Sequence, residues 1–172
     1  MPTDFAIFLN GGYGVGKTTT LDHIGDLLAE AGVPFALLDV DWFHRSSPVA
    51  DSDPSNTVIE AQNLEAVRSN YQRAGPRRLV VSGVLRNGAD RERYARALGM
   101  TVRSVRLVAS EREVERRLTA RYPDRPAALR WHLDRHLALS RQLEDASADE
   151  LVIDTEGRSP REVAHQVLAH FG

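Results

Sequence analysis

Phe5-Ala6-Ile7-Phe8-Leu9-Asn10-Gly11-Gly12-Tyr13-Gly14-Val15-Gly16-Lys17-Thr18-Thr19 passes from an apolar run through four glycines into a segment with helical apolar spacing. Residues 11–18 match G-x-x-x-x-G-K-[ST], with a strand before the glycines and a helix after them, the setting this motif needs to cradle phosphate. Glycines allow backbone N–H groups to curl around phosphate oxygens, and the helix N-terminus adds partial positive charge. Within the loop Gly11, Gly12, Tyr13, Gly14, Val15 and Gly16 supply that backbone, Lys17 neutralises charge on the β/γ-phosphates, Thr18 is the hydroxyl for Mg²⁺, and Thr19 can assist. Lys17 is the sole lysine among 22 basic residues, the rest being arginine. A merely structural glycine turn would leave that coincidence unexplained. The dinucleotide fingerprint G-x-G-x-x-G fails, because after Gly12, Gly14 and Gly16 its last position is occupied by Lys17.

Outward from the loop, strand and helix signals alternate. Leu21, Ile24, Leu27 and Leu28 recur at helical spacing from Lys17 to about Ala31, with Gly32 as a C-terminal stop. Residues 35–40 read as a second strand, and residues 42–56, rich in Ser, Pro and Asp, as a loop long enough to be functional. Residues 57–74 read as a helix with Ile59, Leu64, Val67 and Tyr71 roughly on one face. Leu79-Val80-Val81 is a third strand, residues 90–98 a short helix and residues 102–108 a fourth strand. Ser110 and Glu113 fit a capping box opening a helix at Glu111. Tyr122-Pro123-Asp124-Arg125-Pro126 interrupts it before a second helix bearing Leu129, Leu133 and Leu137. Leu151-Val152-Ile153 is a fifth strand, and Ser159-Pro160-Arg161-Glu162 opens the last helix. Five βα units imply a three-layer α/β fold, a five-stranded parallel sheet with ligands at the strands' carboxyl ends. The 172 residues fit one domain, 1–172.

Composition narrows the classes. Hydrophobic residues make up 42% and charged residues 27%, a globular balance. No apolar stretch nears the roughly 20 residues of a membrane span, so no membrane partner is expected. Zero cysteines exclude thiol catalysis and Cys-ligated zinc, and are compatible with a cytoplasmic location. Charge is segregated: residues 1–60 carry 9 acids and 2 bases, residues 61–141 carry 8 and 18, and residues 142–172 carry 7 and 2. The basic middle attracts anions or is a solvated arginine face. The net charge of −2 argues against nucleic acid as a partner.

Proteins with this loop include GTPases, transporter ATPases and small kinases. The Asn-Lys-x-Asp guanine motif and the Leu-Ser-Gly-Gly-Gln transporter signature are missing, and the third strand runs into Ser82-Gly83 with no closing acid. Acid chemistry lies instead in Leu38-Asp39-Val40-Asp41. Strand residues i and i+2 share a face, so Asp39 and Asp41 are expected to project together towards the loop. One would take a proton from a substrate hydroxyl while the other orders Mg²⁺ water or binds substrate. Asp41, further out, is favoured as base, and Asp39, nearer Thr18, as metal partner. Trp42, Phe43, Tyr13 and Tyr71 are either acceptor-pocket aromatics or core. Arg45 and Arg86 lie beyond strands two and three, where an acceptor would sit. Arg121 and Arg125 flank the proline break as catalytic lid candidates. His132 and His136 share a helix face but lack an evident third ligand for a metal.

Leu38-Asp39-Val40-Asp41-Trp42-Phe43-His44-Arg45 resembles the Leu-Asp-Gly-Asp segment of adenylylsulfate kinases and the Asp-Gly-Asp-x-Leu-His segment of gluconate kinases. Val40-Asp41 is similar to the Val-Asp of chloramphenicol phosphotransferases. Arg117-Leu118-Thr119-Ala120-Arg121 resembles the lid start of adenylate kinases, and Asp154-Thr155-Glu156-Gly157 their adenine-contacting loop. The chain thus resembles nucleotide-kinase-like P-loop kinases. That resemblance implies a P-loop NTPase fold with a short lid at about residues 117–126. It implies Arg117, Thr155 and Gly157 at the nucleotide, Arg121 on the phosphates and Asp41 at the accepting hydroxyl. The expected activity is ATP- or GTP- and Mg²⁺-dependent transfer of the γ-phosphoryl group to a nucleoside, sugar-like metabolite or antibiotic. Val40 and Trp42 replace the Gly and Asn of adenylylsulfate kinases, and the triple glycine of shikimate kinases is absent. Neither substrate is favoured. The alternatives are a nucleotide-binding switch without an acceptor and a polynucleotide kinase. The sequence leaves monomer and homodimer open.

Overall fold

The computed structural model describes residues 4–75 and 77–172. Its five strands are β1 (Phe5–Asn10), β2 (Phe35–Asp39), β3 (Arg78–Ser82), β4 (Thr101–Val108) and β5 (Leu151–Asp154). Six helices connect and cover them: α1 (Lys17–Glu30), α2 (Thr57–Arg73), α3 (Gly88–Leu98), α4 (Glu111–Arg121), α5 (Pro126–Ala146) and α6 (Pro160–Phe171). The strands form one parallel sheet in the order β2-β3-β1-β4-β5. The chain leaves β1 for β2 on one side and leaves β3 for β4 on the other. This reversal opens a crevice at the carboxyl ends of β1 and β3.

Two apolar layers sandwich the sheet. Ile7, Leu9, Val80, Val105 and Leu107 pack against Ile24 and Leu28 of α1, Val114 and Leu118 of α4, and Val167 and Phe171 of α6. Ala6, Phe8, Leu38, Val81 and Val102 pack against Leu64 of α2 and Tyr94 and Leu98 of α3 on the opposite face. Successive β1 side chains alternate between the layers, as strand geometry requires. Each fully buried Leu or Ile contributes about 2 kcal/mol.

The sequence expectations hold for all five strands and the parallel sheet, with local corrections. β2 ends at Asp39, whose Oδ1 accepts from Asp41 N–H at 3.2 Å and turns residues Val40–Trp42 into one turn of 3-10 helix. Asp41 is therefore not a strand residue, and the shared-face argument for it fails. α3 begins at Gly88, two residues early, because the Asn87 side chain accepts from Asp90 N–H and caps it. Ser110 makes only half a capping box: its hydroxyl accepts from Glu113 N–H, while the Glu113 carboxylate turns to Arg116 and Arg117. The Ser159–Glu162 box is complete. On α2 the buried stripe starts at Glu60, four residues before Leu64, with Ile59 only partly buried. No helix among the described residues is long and apolar enough to cross a membrane.

Candidate active site

α1 starts without a side-chain cap and with no acidic residue in its first turn, preceded by Gly16 at φ 97°. That conformation is open to glycine at little cost and leaves the first-turn N–H groups free for an anion. Lys17 reaches back over the loop and donates to the carbonyls of Gly11 at 2.8 Å and Gly12 at 2.9 Å. Burial lowers the pKa of its ammonium, while Asp41 and Asp39 favour the charged form and Arg121 opposes it. Both carboxylates and Arg121 thus act on Lys17. Thr18 Oγ1 donates to Asp39 Oδ2 at 3.0 Å, joining α1 to the end of β2.

A cavity of about 410 Å³ gathers most of the expected residues: Gly12, Tyr13, Gly14, Gly16, Lys17, Thr18, Thr19, Asp39, Asp41, Trp42, Arg45, Arg117 and Arg121. Trp42 is 67% exposed at its rim, with the Arg45 guanidinium stacked 4.4 Å from its ring centre. Tyr13 packs edge-on against Trp131 and His132. Burial raises its phenol pKa, as does Asp41, against the opposing charges of Arg135, Arg86 and Arg45. Phe43 and Tyr71 pack against the α2–α3 layer, so of the four aromatics only Tyr13 and Trp42 face this cavity.

An adjoining cavity of about 370 Å³ holds Val15, Gly16, Thr19, Arg117, Thr155 and Gly157. Arg117 is fixed between the helix and the loop after β5. Its Nε donates to Glu113 at 2.7 Å, Nη1 to the Thr155 hydroxyl at 2.9 Å and Nη2 to the Thr155 carbonyl at 3.1 Å. The Thr155 hydroxyl in turn lies 3.1 Å from the carbonyls of Val15 and Val108, which share its single proton. Hydrogen bonds from Arg116 and then Arg117 hold the Glu113 carboxyl at about 2, well below its ordinary value.

Two expected residues lie elsewhere. Arg86 lines a separate cavity beyond β3 with His44, Glu60 and Arg93. Arg125 reaches over the Tyr122 ring at 5.9 Å and borders none of these cavities among the described residues. Gly11 lies behind the loop in a further cavity that His136 and Ser140 also line.

Several supporting residues escaped the sequence reading. Asn10, 1% exposed, accepts from the N–H groups of Gly11 and Leu85, both at 2.9 Å, tying the loop's entrance to the segment after β3. His136 packs against Gly12 so closely that a Cβ there would lie 2.7 Å from its Nδ1. The i, i+4 pairing of His132 and His136 was visible, but each ring bonds locally: His132 to Ala128 and Tyr122, His136 to Ser140. Glu60 was signalled by its stripe position on α2.

No family model and no curated protein sequence matches the chain. Solved structures do. The APS kinase of Mycobacterium tuberculosis, determined with AMPPNP and APS, superposes with a TM-score of 0.65 at 17% identity, covering 99% of both chains. A gluconokinase from Sinorhizobium meliloti 1021 gives 0.62 at 20% identity over 98% of this chain and 92% of its own. The shikimate kinase of Acinetobacter baumannii, solved with shikimate, gives 0.53 at 22% identity over 99% and 93%. The five-stranded parallel sheet in the order 2-3-1-4-5, with its flanking helices, is the fold of P-loop small-molecule kinases.

Proposed function

We propose that this protein transfers the γ-phosphoryl group of ATP or GTP to a hydroxyl of a small molecule. The observation that carries the reading is the convergence of Lys17, the Thr18–Asp39 pair, Asp41 and Arg121 on one cavity. The triphosphate lies against the backbone of residues 12–18, and Lys17 exchanges its loop carbonyls for β/γ-phosphate oxygens. Arg117, Thr155 and Gly157 flank the base. The acceptor enters between Asp41, Trp42 and Arg45. Its hydroxyl oxygen attacks the γ-phosphorus, the bond to the bridging oxygen breaks, the nucleoside diphosphate leaves, and the proton passes to the Asp41 carboxylate. Positioning accounts for much of the acceleration, because the transition state is loose and the hydroxyl proton leaves late.

The paired oxygens of Thr18 and Asp39 are hard donors suited to Mg²⁺, which these two residues would hold. Bound there, the ion neutralises phosphate charge. Arg121 stabilises charge on the transferring group. A nucleic-acid acceptor is disfavoured by the fate of the basic middle segment. Arg93 pairs with Asp90, Arg103 with Glu150, Arg106 with Asp149, and Arg116 and Arg117 with Glu113. A coupled assay of nucleoside diphosphate release, run with ATP and with GTP against nucleosides, sugars, sugar acids and aminocyclitol or amphenicol antibiotics, tests the reading. Acceptor-stimulated turnover is expected; slow hydrolysis that no acceptor stimulates would replace it with a nucleotide switch.

A further inference from the structure

Behind the phosphate loop lies a cavity of about 420 Å³, lined by Gly11, Gly12, Val15 and Arg106 and by His136 and Ser140 of α5. The His136 ring is 4% exposed, yet its Nδ1 has no hydrogen-bond partner among the described residues. A buried polar atom left unpaired costs stability, so its presence asks for a reason. The ring also presses on the loop: a Cβ at Gly12 would lie 2.7 Å from Nδ1 and 3.1 Å from Ser140 Oγ. His136 and Ser140, one helical turn apart, thus fill the space that a larger residue at position 12 would need.

The loop offers this orphan atom a partner. Lys17 takes the Gly11 and Gly12 carbonyls, whereas the Tyr13 carbonyl has no hydrogen bond among the described residues. Burial lowers the His136 pKa and keeps the imidazole neutral, and the Tyr13 backbone is the first influence to oppose it, as an acceptor facing the ring does. A neutral imidazole has one N–H. A carbonyl before Nδ1 calls for the proton there, and the Ser140 hydroxyl, 3.2 Å from Nε2, can donate to the nitrogen left bare.

The peptide joining Tyr13 to Gly14 gives the pairing its consequence. In a planar trans peptide C=O and N–H point in opposite directions, so a Tyr13 carbonyl drawn back to His136 sends the Gly14 N–H forward. Gly14 lines the transfer cavity and sits at φ 76°. Glycine accepts either sign of φ, so this peptide turns over easily and needs a fixed partner to hold one orientation. We infer that His136 is a positioning residue for triphosphate binding: its Nδ1–H closes on the Tyr13 carbonyl behind the loop when phosphate fills the front, and so holds the Gly14 N–H towards the anion. This rests on the triphosphate-binding part of the reading above and assigns a residue that touches neither phosphate nor acceptor.

Calorimetric titration with a non-hydrolysable ATP analogue and Mg²⁺, and imidazole ¹⁵N spectra of the full chain, test it. Ser140→Ala, which leaves the ring in place, identifies the His136 signals and should turn one tautomer into a mixture. In the wild type the ring should be protonated at Nδ1, and the analogue should move the Nδ1–H proton downfield as its hydrogen bond forms. An Nε2–H ring, or an Nδ1–H signal indifferent to the bound analogue, overturns the inference.

Substitution separates donor from filler. Asparagine places an amide nitrogen where Nδ1 lies, glutamine places one at Nε2, and leucine supplies volume alone. His136→Asn should bind the analogue within about threefold of the wild type, and His136→Gln and His136→Leu about tenfold or more weakly. A packing role predicts Leu ahead of Asn; that order, or equal affinities, overturns the inference. Should these variants not fold, Ser140→Ala should weaken binding about twofold, since half the rings then carry the proton on the wrong nitrogen, and unchanged affinity there overturns it too. Binding by the wild type without these dependences leaves the phosphate-loop reading standing alone. No binding by the wild type removes both.

Discussion

The Thr18 hydroxyl donates to Asp39 Oδ2 at 3.0 Å, although β2, which carries Asp39, is separated from β1 by the whole of β3. The contact exists because α1 leaves the glycine loop over the sheet's carboxyl end, where β2 also terminates. A hydroxyl at the start of one helix and a carboxylate at the end of a distant strand thereby form a single oxygen pair. Charge balance at the cavity follows. Lys17 lies in the field of both Asp39 and Asp41, and its ammonium is held by two loop carbonyls.

Lys17→Ala should weaken ATP binding and lower turnover by about 10² or more, since an anionic transition state loses its nearest point charge. The fold should survive, because the Lys17 bonds are to loop carbonyls only. Equilibrium binding of a fluorescent ATP analogue, together with the coupled assay, measures both effects. Undiminished activity would remove the phosphate-loop assignment.

Thr155→Val keeps the side-chain volume and deletes the hydroxyl that joins Arg117 to the loop carbonyls. Thr155 is 4% exposed, so the groups left behind are poorly solvated. A cost of about 1–3 kcal/mol is expected, or a fall in Tm of several degrees for a chain this size. Affinity for ATP should fall as well, because Arg117 loses its Nη1 anchor on the Thr155 hydroxyl, keeping only the Thr155 carbonyl and Glu113 as close partners. Calorimetry with and without nucleotide separates the effects; an unchanged Tm would mean that water replaces the hydroxyl.

Most of the architecture was legible because period-2 and period-3.6 patterns are local. The phosphate loop was legible because its chemistry is contained within eight residues. What escaped reading depends on distant partners. Asp41 looked like a strand residue until the Asp39 side chain turned the backbone beneath it. Glu60 drew no notice in the sequence, since nothing near it announces that Tyr94, 34 residues later, will meet it in the core. Arg125 read like Arg121, yet only Arg121 borders the cavity, while Arg125, just before the Pro126 that opens α5, lies over the Tyr122 ring outside it. A helix stripe with a carboxylate at an apolar position was the one available sign, and it falls at 60, 64, 67 and 71.

Acid should expose the Arg116–Glu113–Arg117 cluster. The folded pKa of Glu113 is about 2, below its ordinary 4.5, so its stabilising contribution is complete above about pH 4.5. It is lost as pH falls from there through 2. The Tm deficit of Glu113→Gln relative to the wild type should therefore be constant from pH 5 to 8 and shrink towards zero below pH 4.5. Scanning calorimetry over that range checks the sign, and a deficit that grew on acidification would contradict it.

The two candidate lid arginines should behave differently. Arg121 borders the cavity and acts on Lys17, whereas Arg125 borders none of the cavities among the described residues. Arg121→Ala should lower kcat by about 10² with a smaller change in KM for ATP, as expected of a group engaged mainly in the transition state. Arg125→Ala should have a smaller effect. If both leave kcat unchanged, the segment from Arg117 to Pro126 is only a charged surface.

Asp41→Asn is the substitution that most sharply separates binding from chemistry. The 3-10 turn is held by the Asp41 backbone N–H and the Asp39 carboxylate, neither of which the change touches, so the turn should persist. The amide retains most of the shape and some hydrogen bonding to the acceptor, but it cannot take the proton. Removing a negative charge near Lys17 should, if anything, favour the anionic triphosphate, so ATP affinity should hold or rise slightly. Acceptor phosphorylation should fall by roughly 10²–10⁴, the usual worth of a general base. If positioning outweighs proton abstraction, the loss will lie at the low end of that range. Asp39→Asn, which weakens the Thr18 pair instead, should raise the Mg²⁺ concentration needed for half-maximal turnover. Nucleotide affinity, acceptor turnover and Mg²⁺ dependence measured on both variants decide the assignment. Near-normal turnover in Asp41→Asn, or an exchange of the two phenotypes, would move the base from Asp41 to Asp39.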